Sequence, residues 1–121
     1  MIILREYNEE KSLDRVWYDS SNVFYSECED TDTAMKVLRV VFKNGAQYQY
    51  HDVDVNDYLM FIAGGTDNSN GKALNEFVKK KKCPYERIED ADKEALINEM
   101  NEIKERRKKE KEETEQKETA E

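Results

Sequence analysis

The sequence is poor in the residues on which most small enzymes, metal proteins and disulfide-rich domains depend. Its 121 residues include one histidine, two cysteines, four glycines and one proline. Cys28, Cys83 and His51 match no metal-binding spacing, so no metal site is predicted. No nucleophile lies at a diagnostic spacing from His51, and the glycines match no phosphate-binding motif. We therefore expect no catalytic residue, no cofactor and no enzyme.

Long apolar runs are also missing. No run approaches the roughly 20 residues that cross a bilayer, so no membrane partner is expected. The apolar start, residues 2–4, is followed at once by Arg5 and is too short for the core of a signal peptide. Two free thiols without a secretory signal are typical of a reducing compartment, so we expect a cytoplasmic protein.

Charge is abundant and unevenly distributed. Charged residues make up 40% of the chain, and the net charge is −8. Residues 1–88 carry 12 basic and 15 acidic groups, and residues 89–121 carry 8 and 13. This balance argues against broad, nonspecific nucleic-acid binding but leaves room for a local basic patch. Composition predicts an N-terminal extension over 1–19 that could form an edge strand, a domain over 20–88, and a charged tail over 89–121.

The strongest structural pattern is a hairpin over residues 38–50. Apolar and polar residues alternate on both sides of Asn44-Gly45, which is a turn signal. A two-residue loop would place Tyr48 and Tyr50 on the face opposite Leu38 and Val40. A three-residue loop, 43–45, places all the large apolar groups on one face, and we therefore prefer it. Tyr48 and Tyr50 are then expected in the core, although an edge tyrosine left open could stack on a base.

Helical periodicity begins after His51. Asp54 is a suitable N-cap, the apolar line is Val55, Tyr58, Leu59 and Ile62, and 64–65 ends the helix. Ser69 can cap a second helix that ends in four lysines before Pro84. The tail has one line of apolar residues, followed by a segment from Lys104 to Thr119 that contains no apolar residue. This segment is therefore either a solvated helix or disordered. We predict an α+β fold: a three-stranded antiparallel β-meander with two helices on one face, followed by a charged helical tail.

Residues 20–88 resemble the KTSC domain, a small module found at the C-terminus of some lysyl-tRNA synthetases and in stand-alone bacterial and phage proteins. The matching positions lie in the predicted strands and helices in the family's order. They are Ser20, Ser21, Asn22 and Val23; Leu38, Val40, Phe42 and Gly45; Tyr48 and Tyr50; Val53 and Tyr58; Ser69, Gly71, Asn75 and Phe77; and Pro84 and Tyr85. The resemblance implies a β-β-β-α-α fold and little about activity.

We therefore expect a noncatalytic binding or accessory module whose main partner is a protein. Its protein contacts would be the apolar line of the tail, Leu96, Met100 and Ile103, and the open sheet edge. The alternative is binding of RNA or another nucleic acid by the lysine-rich helix end, Lys72, Lys79, Lys80, Lys81 and Lys82. A second alternative is a small structural component of a phage or bacterium. The oligomeric state is left open.

Overall fold

The computed structural model describes residues 2–29, 35–65 and 69–119, with side chains as far as Glu112. It contains one antiparallel sheet whose six strands follow one another in chain order. The strands are β1 (Ile2–Asn8), β2 (Leu13–Tyr18), β3 (Val23–Glu29), β4 (Met35–Phe42), β5 (Gln47–Asp54) and β6 (Tyr85–Ile88). The helices are α1 (Val55–Ala63), α2 (Asn70–Leu74), which continues into a π-helical turn (Asn75–Lys79), and α3 (Lys93–Thr119). The chain divides into two compact units, residues 1–91 and 92–121.

The α+β class is confirmed, but the prediction of three strands is wrong. The additional strands are β1, β2 and β6. The β1–β2 hairpin is held partly by polar pairs that cross it, since the Arg5 guanidinium donates to both carboxylate oxygens of Asp14 at 3.0 and 2.9 Å. Arg5 and Asp14 are nine residues apart in the chain. Apolar periodicity detects neither polar residues nor pairing across that distance, so it did not predict the hairpin. Strand β6 has only four residues and exists through its pairing with β5.

The predicted register of the central hairpin is confirmed. Val40 lies opposite Tyr48 and Leu38 opposite Tyr50. The Phe42 N–H donates to the Ala46 carbonyl at 2.9 Å, which closes the three-residue loop. Gly45 has φ of 95°, the left-handed conformation that the loop requires at this position.

One face of the sheet packs against α1, α2 and the π-helical turn. Asp54 caps α1 through a 2.8 Å bond from the Asn56 N–H, and Gly64 ends it in the left-handed region. The buried face of α1 differs from the predicted one: Phe61 is buried, whereas Leu59 is 45% exposed. The core on this side is built mainly from aliphatic and aromatic residues of both layers. It includes Val16, Tyr18, Val23, Leu38, Val40, Tyr50, Val53, Tyr58, Phe61, Ile62, Leu74 and Val78.

The second helix changes its hydrogen-bonding pattern halfway. Ser69 caps α2, as predicted, by accepting from the Lys72 N–H at 3.4 Å. Beyond Leu74 the helix widens into the π-helical turn, where the Lys80 N–H donates to the Asn75 carbonyl at 2.9 Å. The buried Asn70 side chain donates to the carbonyls of Phe61 and Ile62, at 2.9 and 3.2 Å. These bonds fix the start of α2 against the end of α1 and so position the site described below.

The tail forms the helix α3. Leu96, Met100 and Ile103 are spaced by four and three residues within it and so share one side of the helix. The helix also covers part of 104–121, the segment for which the sequence left helix and disorder open. Among the described helices, none combines the length and apolar character that crossing a membrane requires.

Candidate functional site

The structure separates the five lysines that were predicted as nucleic-acid contacts. Lys81 extends toward α1, where its Nζ lies 2.8 and 3.0 Å from the two carboxylate oxygens of Asp57. This hydrogen bond raises the pKa of Lys81 above its ordinary value and shows that its charge is already paired. Lys72, Lys79 and Lys82 line concave surfaces of the domain, and Lys80 is exposed outside those surfaces.

The first concave surface, which we call the amide pocket, lies between the β2–β3 loop, the β4–β5 turn and α2. It has a volume of about 770 Å³, within the range of small-molecule sites. Its polar lining is basic and amide-rich: Lys43, Lys72, Lys79, Asn22, Asn44 and Asn75. Among the residues that the structure describes, no acidic side chain lines it, although the chain contains 28 acidic residues.

Local backbone bonds shape the amide pocket. Ser20 Oγ accepts from the N–H groups of Asn22 and Val23, both at 3.4 Å, which fixes the turn before β3. The Lys43 N–H donates to the Asn22 carbonyl at 2.8 Å and ties this turn to the hairpin. A Cβ placed on Gly71 would lie 3.3 Å from the Asn22 Nδ2, so the absent side chain leaves room for the Asn22 amide against α2.

The second concave surface, which we call the aromatic groove, is built around three tyrosines of β5 and β6. The ring of Tyr85 lies 6.3 Å from that of Tyr48 and 5.9 Å from that of Tyr50, and Lys79 and Lys82 line the same groove. Its volume is about 710 Å³. Tyr85 is 67% exposed, whereas Tyr50 is 3% exposed. Burial, aided by the neighbouring tyrosines, raises the pKa of Tyr50 to about 12, so its hydroxyl stays neutral in the physiological range.

The amide pocket and the aromatic groove form one continuous surface, because both are lined by Tyr48 and Lys79. The Lys79 Nζ also lies 5.7 Å from the centre of the Phe42 ring, which lines the pocket. Lysines neutralise phosphates, and exposed aromatic rings stack on unpaired bases. The arrangement therefore has both chemical groups that bind a single nucleic-acid strand.

Lys43 and Tyr85 are among the residues of this surface that were not predicted as contacts. Lys43 contributes because the three-residue turn places it beside the Asn22 backbone, a contact between residues 21 apart. Tyr85 contributes because β6 pairs with β5 and brings it opposite Tyr50. The family resemblance could have indicated Tyr85, because its matching positions end with Pro84 and Tyr85. Of the two tyrosines expected in the core, Tyr50 is buried, and Tyr48 is half-buried with part of its surface in the groove.

Of the other candidate residues in the first compact unit, Cys83 lines the aromatic groove, whereas His51 and Cys28 line neither concave surface. The His51 Nε2 lies 3.3 Å from the Glu86 Oε1, across strands β5 and β6. Cys28 is buried, and burial raises the pKa of the half-buried Cys83 thiol, which makes its reactive thiolate scarcer. Within the described ranges, no three histidine, cysteine or acidic side chains are arranged to hold a metal ion. Leu96, Met100 and Ile103 belong to the second compact unit, in α3.

Comparison with protein families finds one match, which lies within the first compact unit. Residues 31–82 match the model of the KTSC domain, whereas no curated protein shows a significant match to the chain. The matched range contains the half-buried aromatics Phe42 and Tyr48 and the helix positions Gly71 and Asn75, all of which line the amide pocket. The resemblance inferred from these positions is thereby confirmed over residues 31–82.

Proposed function

We propose that this domain is a noncatalytic module that binds single-stranded nucleic acid, with RNA as the first candidate. The observation that carries the proposal is the sharing of Tyr48 and Lys79 by a lysine-rich pocket and a tyrosine groove. From the sequence, a protein was expected as the main partner and nucleic acid as the alternative. The shared surface of lysines and tyrosines supports nucleic acid more strongly.

Stacking requires unpaired bases, which favours a single strand over a duplex. The exposed ring of Tyr85 offers a stacking platform, and the rings of Tyr48 and Tyr50 continue it toward the core. Lys79 and Lys82 stand beside these rings, where a strand that stacks on Tyr85 would carry its phosphates. The negative charge of the rest of the chain repels phosphates elsewhere, so binding concentrates at this surface.

The test is a titration of a labelled ten-nucleotide RNA at low salt with the full chain and with Tyr85→Ala. Loss of one stacked base costs about 1–3 kcal/mol, so we expect affinity to fall by about tenfold or more. Tyr7→Ala is the matched control, because Tyr7 is an exposed tyrosine on β1 outside the groove, and we expect it to leave affinity unchanged. Absence of binding by the unaltered chain at low salt would refute the proposal.

A second candidate, contact with a protein partner, is supported by the opposite end of the sheet. The described residues there include the exposed apolar side chains of Ile3 and Tyr7 on the edge strand β1, and exposed Leu59 of α1 lines the same concave surface as Tyr7. An edge strand with exposed apolar neighbours can accept a further strand from a partner. Tyr7→Ser combined with Leu59→Ser should abolish recovery of a specific protein from nuclease-treated lysate, while Tyr85→Ala should not. Equal recovery by all variants would exclude this surface.

A further inference from the structure

The amide pocket contains side-chain amide groups that the binding of a phosphate does not require. Gly71, Asn75 and Lys79 are spaced by four residues along α2 and the π-helical turn, and all three line the pocket. Residues four apart lie on the same side of a helix, so they form one wall. Asn22 contacts this wall at Gly71, where its Nδ2 lies 3.3 Å from the point at which a Cβ would stand. Two carboxamides, of Asn22 and Asn75, therefore face the same cavity.

These two carboxamides differ from the other asparagines near the pocket. Asn44 uses its side-chain oxygen to accept from the Ala46 N–H at 2.9 Å, and Asn70 is buried with its amide bonded to α1. Over the described ranges, no hydrogen bond within the protein engages the side chains of Asn22 and Asn75, and both residues are exposed. Their donors and acceptors are accordingly available to a ligand.

A carboxamide presents one acceptor and one donor in a plane, which complements the edge of adenine. Asparagine forms such paired hydrogen bonds with adenine, whereas carboxylates are the usual acceptors for the amino group of cytosine. The described lining of the pocket contains no carboxylate. Phe42 and Tyr48 supply aromatic surface for the face of a base, and Lys43 and Lys72 supply positive charge for its phosphate.

We infer that the amide pocket binds one adenine nucleotide of the strand and recognises its base through the carboxamides of Asn22 and Asn75. This inference rests on the proposed function, since the nucleotide is part of the strand that lies in the aromatic groove. It adds a sequence preference at one position to binding that is otherwise independent of sequence. The ligand class is an adenine nucleotide with its phosphate.

The experiment compares two RNA decamers, one of uridines only and one with a single central adenine. We expect the strand with adenine to bind on the order of tenfold more tightly, in line with one well-formed amide–base pair. Asn75→Ala should remove this preference, so that the two decamers bind with equal affinity. Asn56→Ala, an exposed asparagine on α1 outside the pocket, should keep the preference.

Gly71→Ala separates recognition from folding. The added Cβ would crowd the Asn22 amide at 3.3 Å, and the flexible end of that side chain would have to move away. Alanine also favours the helix over glycine. We expect the melting temperature to be maintained or raised while the adenine preference decreases. Retention of the full preference by Gly71→Ala and by Asn75→Ala would overturn the inference.

The possible failures are distinguishable. Equal affinity for the two decamers, with a loss on Tyr85→Ala, would overturn adenine recognition and leave the proposed function standing. A preference for a central guanine would also overturn it, since lysine can contact that base without the amides. Nuclear magnetic resonance provides a direct measurement: adenosine monophosphate should shift the side-chain amide signals of Asn22 and Asn75, and inorganic phosphate should not. Identical shifts with both probes would indicate a phosphate site only and overturn the inference.

Discussion

Tyr50 and Gln49 are neighbours on β5 whose side chains point to opposite sides of the sheet. Tyr50 is 3% exposed and belongs to the core beneath the helices, whereas Gln49 is half-buried on the other face. Tyr50→Ala should lower the free energy of unfolding by roughly 3 kcal/mol, the range for removal of a large buried aromatic. Gln49→Ala should change it by less than about 0.5 kcal/mol, as is usual for a polar residue outside such a core. Urea denaturation of both variants measures the difference, and equal losses would contradict the structure of the hairpin.

Alkaline pH should destabilise the domain through its buried tyrosines. Burial, together with the 2.6 Å hydrogen bond that the Tyr58 hydroxyl donates to Asp14, raises the pKa of Tyr58 above its ordinary value. Burial also raises the pKa of Tyr18 and Tyr25, and raises that of Tyr50 to about 12. A folded-state pKa above the unfolded value of about 10 means that the folded state holds its protons more tightly. Stability is therefore complete below about pH 10 and decreases as the pH rises from there through the folded-state pKa.

Thermal denaturation between pH 8 and pH 11 measures this loss. Tyr58→Phe removes one of the titrating groups, so its melting temperature should decrease less steeply above pH 10 than that of the unaltered chain. The hydroxyl lost in this variant is expected to lower the melting temperature at pH 8 as well, so the comparison is of slopes. Parallel slopes for the two proteins would show that Tyr58 ionises equally in the folded and unfolded states.

At the scale of elements, features set by neighbouring residues could be predicted, and features set by distant pairing could not. The caps at Asp54 and Ser69 and the turn at Gly45 follow from local side-chain chemistry, and the structure has all three. Strand β6 depends on pairing with β5 nearly forty residues away, so its four residues carried no independent signal. For the same reason, the aromatic groove could not be predicted in full, because Tyr85 lines it only as a result of the pairing of β6 with β5.

The end of α3 provides a test of how much of the helix contributes to stability. No apolar residue occurs between Lys104 and Thr119, and the described side chains from Glu105 to Glu112 are all exposed. Truncation after Lys104 should change the free energy of unfolding by less than about 0.5 kcal/mol, because a helical segment without an apolar face has little to bury. Chemical denaturation of the truncated and full chains compares them. A larger loss would reveal packing by the polar end of the helix.

At the scale of the whole molecule, the proposed binding of an anionic strand by a chain of net charge −8 requires a few well-placed cations. The structure distinguishes the candidate lysines by their positions and pairing. Lys82 lines the aromatic groove, Lys80 is exposed outside it, and Lys81 is paired with Asp57 at 2.8 Å. The sequence alone could not make this distinction among consecutive lysines, since it depends on the π-helical turn and on Lys82, whose φ is 56°.

The salt dependence of RNA affinity tests this assignment with two variants that differ by one unit of charge from the unaltered chain. Each phosphate contact on a single strand contributes about 0.7 to the slope of log affinity against log salt. Lys82→Ala should weaken binding and reduce the slope by about 0.7, whereas Lys80→Ala should leave the slope unchanged. Because both variants lower the net charge equally, a difference between them cannot come from the overall field of the protein. Equal reductions would instead show that the strand responds to total charge, and that the groove does not position its phosphates.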